Sequence, residues 1–242
     1  MTQTSAIRAL RAAAPYLRLY RGKTFVIKTD AQAPDAGVLK SVIEQIAILH
    51  HLGIRIVLIH GANSAFRLPQ LRELLGSSVL ESCRELGIDV VGPPQGSIGL
   101  EELRTQLKVG SVPVLDPMPG ADADAFAATI AGKLMAEKLL FCGLAAGILE
   151  QPDEPRSLIS YLDLEGLHRL ERAGALEGQR MPSAAAIRAA LKGGVKRVHV
   201  ISQNAPDSIL IEIFTNEGGG TLIVADVKAL TPAELQPLPV AS

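Results

Sequence analysis

Two apolar strands end on side chains that could do polar chemistry. The run Thr24-Phe25-Val26-Ile27 delivers Lys28 to a loop, and the run from Ile54 to Ile59 delivers His60 to another. In an α/β protein such strand ends hold nucleotides or small anions, because backbone N–H groups and a helix N-terminus face the ligand there. A lysine at that point can neutralise phosphate charge. Both loops are poor in glycine. The first reads Thr29-Asp30-Ala31-Gln32 and the second Gly61-Ala62-Asn63-Ser64, whereas a phosphate cradle needs several glycines to bring its backbone close. Asp30 would repel a phosphate. Asp122 and Asp124 precede an alanine-rich stretch, where either can cap a helix. Ser183 stands at the start of another helical run, a good N-cap position.

The elements that must position these groups alternate between strand and helix. Residues 5–19 form an amphipathic helix that Pro15 should kink or restart. Strand one ends at Lys28. A helix over 37–52 carries Leu39, Val42, Ile43, Ile46 and Leu49 on one face and stops at Gly53. Strand two spans 54–60, one or two helices fall in 67–87, and a short strand covers 88–91. A helix over 100–108 and a strand over 112–115 follow. After the turn-rich Pro117-Met118-Pro119-Gly120 come a helix over 121–136, a strand at 138–142, the loop 143–147, a short strand at 158–161 and a helix at 164–173. A helix over 183–191, a strand at 198–202, a helix or strand at 208–214 and a last edge strand at 221–224 complete the pattern. This alternation predicts an α/β fold: a three-layer αβα sandwich around a mainly parallel central sheet.

The bulk numbers narrow the function. With 242 residues and 48% hydrophobic content the chain can bury a substantial core. Its 24 basic and 25 acidic residues balance, which argues against a nucleic-acid surface. Arginines at 8, 11, 18 and 21 interrupt the N-terminal apolar residues, so that segment is no signal peptide. No stretch is long enough to cross a bilayer. Cys83 and Cys142 form no metal or redox motif. The expectation is a soluble cytoplasmic protein without a tightly bound metal.

The order of motifs resembles the amino-acid kinase family, and within it acetylglutamate kinase and the kinase-like domain of acetylglutamate synthase. The resemblance covers roughly residues 5–224. It is carried by Ala14-Pro15-Tyr16-Leu17 with the run Arg21 to Lys28, and by the run His50 to Arg55 with His60-Gly61. Further on it is carried by Ala136-Glu137-Lys138-Leu139-Leu140 with Gly147-Ile148-Leu149, by the run Gly193 to Ile201, and by the run Glu212 to Thr221. It implies an amino-acid kinase (carbamate kinase-like) fold over residues 1–229, followed by a tail at 230–242. A substrate-side lobe would span about 20–118 and a nucleotide-side lobe about 119–229. The implied activity is phosphorylation of a carboxylate, that of N-acetylglutamate or a related small acid, with ATP and magnesium.

Set against that pattern, Lys28 matches the first catalytic lysine and Asp124 the aspartate that organises the lysines. Ser183 replaces the second catalytic lysine. Gly61, Ala62 and Asn63 replace a glycine-rich nucleotide loop. Asp122 replaces an asparagine that would hold the substrate carboxylate. Gly147 falls in the nucleotide-side pattern, and Gly143-Leu144-Ala145-Ala146 takes the place of a polar nucleotide contact. The segment from Ala65 to Leu115 is short for the family and lacks its substrate lid. Losing one charged contact typically costs ~2–4 kcal/mol of transition-state stabilisation, so several losses imply impaired catalysis.

The C-terminal half keeps a different signature. His199, Glu212 and Gly218 match positions that bind arginine in feedback-inhibited members, with Lys138 and Glu217 nearby. The N-terminal helix that links such members into dimers or hexamers is also present. A glutamate can pair with a guanidinium, and a glycine loop can hold the α-amino and carboxylate ends. The resemblance therefore implies an arginine-responsive binding or regulatory homologue of arginine biosynthesis. Its ligand would be arginine or an acetylated amino acid, and its possible partners an active paralogue or acetylglutamate synthase. The competing expectation is an active ATP-dependent kinase in which Lys192 or Lys196 stands in for the missing lysine.

Overall fold

In the computed structural model the described residues are 3–29, 36–60, 90–91, 99–115, 117–118, 120–152, 154–179, 181–215 and 218–226. Expectations for Asp30, for Gly61, Ala62 and Asn63, for the helices at 67–87, and for Arg67, Cys83, Glu217 and the tail lie outside them.

The β-branched run of β1 (Thr24–Thr29) pairs in parallel with β2 (Arg55–His60) on one side and β5 (Lys138–Gly143) on the other. The remaining strands are β3 (Val90–Val91), β4 (Val112–Leu115), β6 (Tyr161–Asp163), β7 (Arg197–Ser202) and β8 (Thr221–Val224). They form one sheet in the order β3-β4-β2-β1-β5-β7-β8-β6. All described pairings are parallel except β7 with β8. The sheet therefore runs unbroken from the first half of the chain into the second. β1 and β4 are buried along most of their length, as strands covered on both faces must be.

Alternation along each strand assigns the two faces. Val26, Val57, Leu139, Phe141, Val198 and Val200 point into one core, closed by α3 (Leu100–Val109), α4 (Ala123–Lys133), α5 (Leu164–Arg172) and α6 (Ala184–Lys192). Phe25, Ile27, Ile56, Leu140, Cys142 and Ile201 point into the other, closed by α1 (Gln3–Tyr20), α2 (Ala36–His51) and α7 (Ser208–Phe214). This is the expected three-layer αβα sandwich.

Three details differ from the sequence reading. The helix α1 runs through Pro15 without restarting. Proline removes one backbone donor, and rings on the residues that follow anchor the helix to the core: Tyr16 meets Phe214 edge-on at 6.5 Å and Tyr20 meets Phe25 at 5.3 Å. The strand at 221–224 is not an edge, because β6 pairs beyond it. The expected strand at 158–161 begins later, at Tyr161, after a 3₁₀ turn over Pro155–Ser157 and a single bridge between Leu149 and Leu158. The segment 208–214, open between helix and strand, is the helix α7.

Candidate functional site

Two polar sites sit on opposite faces of the central strands. The first lies at the C-terminal end of β1. Lys28 points to the α4 and α6 face, where its Nζ lies 2.9 Å from Asp124 Oδ1. The two acids ahead of α4 divide their work. Asp122 is the exposed N-cap, with Oδ1 accepting from the N–H groups of Asp124 at 2.9 Å and Ala125 at 3.1 Å. Asp124, two residues on in the first turn, meets the lysine instead. Its other oxygen, Oδ2, accepts from the Ser183 N–H at 3.3 Å, and Ser183 Oγ in turn caps α6 through Ala186 at 3.2 Å.

Small residues bring α4 and α6 this close. Ala127, Ala128 and Ala131 of α4 and Ala186 and Ala190 of α6 are buried, and at the far end a Cβ on Gly132 would touch the Gly193 carbonyl at 3.4 Å. The resulting cleft, about 300 Å³, is lined by Lys28, Asp124, Cys142, Leu144, Ala145 and Met181 among others. Burial, opposed by the nearby Lys28 charge, pushes the Cys142 thiol up to about 12, so it is a neutral wall of the cleft.

Lys28, Asp124 and Ser183 are thus brought together, with Asp122 next to them as a cap. Gly147 is elsewhere: it is buried against Leu158 and Thr221, and a Cβ there would lie 2.6 Å from each. Lys192 and Lys196 do not reach the cleft. Lys192 closes the far end of α6, about 13 Å of helix from Ser183, and Lys196 precedes β7 at the opposite end of the sheet. Lys28 is the one described cation lining the cleft, and no group of three His, Cys, Asp or Glu that could hold a metal occurs among the described residues. The described lining thus offers a nucleotide phosphate a single cation.

The second site lies on the other face, under α1. His199 of β7, 2% exposed, is held between two charges. Its Nδ1 is 2.7 Å from Glu212 Oε1 and its Nε2 is 2.9 Å from Lys138 Nζ. Burial and the Lys138 charge lower the His199 titration to about 4, against the opposing pull of Glu212. The ring is therefore neutral, donating from Nδ1 to the carboxylate and accepting at Nε2 from the ammonium. Burial alone would raise the Glu212 carboxyl, but the hydrogen bond from the neutral His199 ring, the Gly219 N–H and the Lys138 charge outweigh it and hold it below the usual value.

Glu212 Oε2 accepts from the N–H groups of Gly219 at 2.9 Å and Gly220 at 3.1 Å. Gly218 turns the loop with a φ of 51°, in the left-handed region. Lys138 Nζ stands 5.0 Å from the Tyr20 ring centre, within cation–π range. His199, Glu212 and Gly218, singled out from the sequence, do share one recess, with Lys138 beside them. Tyr16, Tyr20, Ser160, Tyr161 and Thr215 also line it. The tyrosines were missed as a group. Their signal was helical spacing, Tyr16 to Tyr20, which places both rings on one face of α1.

A mainly parallel sheet with this strand order, carrying a lysine–aspartate pair at a strand end, defines an α/β protein of the amino-acid kinase type. The UMP kinase of Ureaplasma parvum shares that fold, with a TM-score of 0.60 over 84% of this chain and all of its own at 12% identity. No family model matches the chain. It is 31% identical to the acetylglutamate kinase of Myxococcus xanthus over 289 aligned positions, covering 90% of this chain and 94% of the relative. It is 30% identical to the acetylglutamate kinase of Symbiobacterium thermophilum, covering 89% and 96%. The chain belongs to the acetylglutamate kinase family. The first alignment is longer than the 242 residues of this chain, so that relative carries residues this chain lacks. The N-acetylglutamate synthase of Neisseria gonorrhoeae, solved with coenzyme A and L-arginine, superimposes with a TM-score of 0.70 at 26% identity over 91% of this chain. The chain spans 65% of that synthase.

Proposed function

We propose that this family member is impaired in or devoid of phosphoryl transfer and serves as an arginine-responsive binding or regulatory homologue within arginine biosynthesis. The observation that carries the reading is Ser183. The position where a second catalytic lysine is expected is occupied by a helix cap whose hydroxyl is bound to Ala186. The remaining Lys28 is paired with Asp124. Phosphoryl transfer depends on cations placed around the developing charge, and one paired lysine supplies little of that.

The recess under α1 supports the binding half. An aromatic face and a carboxylate, groups that can receive a guanidinium, stand there beside a lysine that can meet a carboxylate. At about 40 Å³ the recess has room for a few water molecules. Admitting arginine would widen it, and widening at Tyr16 and Tyr20 would move α1, the helix through which the family resemblance implies assembly into dimers or hexamers.

The second reading is an active kinase on N-acetylglutamate or a related small acid, favoured by the 2.9 Å Lys28–Asp124 pair. A hydroxylamine-trapped acyl-phosphate assay with N-acetylglutamate and Mg-ATP, run beside Lys28→Ala, separates them. The first reading predicts no product above the variant's background. Turnover that disappears in Lys28→Ala would establish the second.

A further inference from the structure

We propose that Gln45 is a positioning residue for the His199–Glu212 recess, joining α2 to α7 so that Glu212 stays in register with the glycine loop. The helix α7 has only seven residues and no cap of its own: Asp207 ahead of it is left-handed, with φ 53°, and makes no side-chain cap. So short a helix depends on tertiary contacts, and its first N–H groups have no intrahelical partner.

Gln45 supplies the missing cap from across the layer. Its Oε1 accepts from Ile209 N at 2.9 Å and more weakly from Leu210 N at 3.4 Å. Its Nε2 donates to Ser41 O at 3.2 Å and Ser41 Oγ at 3.3 Å, which fixes the carboxamide's orientation. Gln45 is 2% exposed. The helix that carries it is anchored in the core through Val42, Ile43, Ile46 and Leu49.

Glu212 lies three residues after Ile209, on the next turn of α7. From there its two oxygens reach His199 on one side and Gly219 and Gly220 on the other. A shift at the first turn of α7 therefore reaches both contacts. Because α2 follows β1, which carries Lys28, Gln45 also ties the recess to the half of the molecule that holds the cleft.

The inference deepens the reading of the recess as a binding site, and its test runs without ligand. Amide hydrogen exchange at Gly219 and Gly220 is measured in the wild type, in Gln45→Met and Gln45→Glu, and in Leu103→Ala, a buried change on the opposite face. Gln45→Met keeps the volume and removes the acceptor. It should speed exchange at both glycines by about tenfold, the effect of one lost buried hydrogen bond. Gln45→Glu keeps an acceptor oxygen and should bring both glycines back to within about threefold of wild type. Leu103→Ala should leave these two amides accelerated no more than the amides of β8. If Gln45→Met does not fold, Ser41→Ala loosens the same carboxamide and should speed the same two amides selectively. Unchanged exchange in the folded Gln45 or Ser41 variant overturns the proposal, as does equal acceleration in Leu103→Ala. Arginine failing to bind would overturn the proposed function and leave this result standing.

Discussion

A histidine buried between a carboxylate and an ammonium has both its proton and its charge decided by its neighbours. His199 keeps its proton on Nδ1, toward Glu212, and stays neutral because burial disfavours its charge and a second positive charge beside Lys138 would add to that cost. The consequence for stability follows from the direction of the shift. The unfolded chain binds a proton on this histidine below its ordinary 6.5, whereas the folded chain refuses it until about 4. The contribution is therefore complete above pH 6.5 and is lost as the pH falls toward 4. Between pH 7 and pH 5 it amounts to about 2 kcal/mol. Urea unfolding at those two pH values should show that loss in the wild type and a much smaller one in His199→Gln. Greater stability of the wild type at pH 5 would mean the ring is cationic in the fold. The same residue-level reading separates the two aspartates. Both can cap a helix on sequence grounds; in the fold Asp122 caps α4 while Asp124 meets Lys28 at the end of β1.

Elements position these groups through places where no side chain fits. Gly220 enters β8 with its Cα against the Val200 carbonyl of β7, and a Cβ there would lie far inside van der Waals contact; next to it a Cβ on Gly219 would meet nothing. Gly220→Ala should cost about 1–3 kcal/mol in thermal or urea unfolding and disturb the Glu212 contact. Gly219→Ala should stay within about 0.5 kcal/mol of wild type. Equal costs would show that flexibility rather than fit dictates the loop. Much of the element pattern was legible in advance, because β-branched runs and helical apolar spacing are local signals. The order of strands was not. β8 reads as an edge strand from its place late in the chain, yet lies between β7 and β6 through a pairing no local pattern encodes. The Gln45 cap was hidden for the same reason, since it joins residues 164 positions apart.

At the scale of the whole molecule the sheet separates two sites that the chain treats differently. On one face a lysine–aspartate pair remains where the resemblance implies a larger set of cations. On the other a buried glutamate, histidine, lysine and glycine loop are fully connected. The site residues visible from the sequence were those whose role rests on position in a motif order. Those it could not show, such as the neutral state of His199 and the tyrosine lining, depend on packing between distant elements. The tyrosines also provide the decisive probe. The chain has no tryptophan and three tyrosines, all of which line the recess under α1, so intrinsic fluorescence reports on that site alone. The one measurement to make is a titration of the folded protein with L-arginine, followed by tyrosine emission and repeated with Glu212→Gln. A saturable change in the wild type that is lost in the variant is the predicted result. A flat titration of folded wild-type protein would contradict the assignment of this family member to arginine-responsive binding.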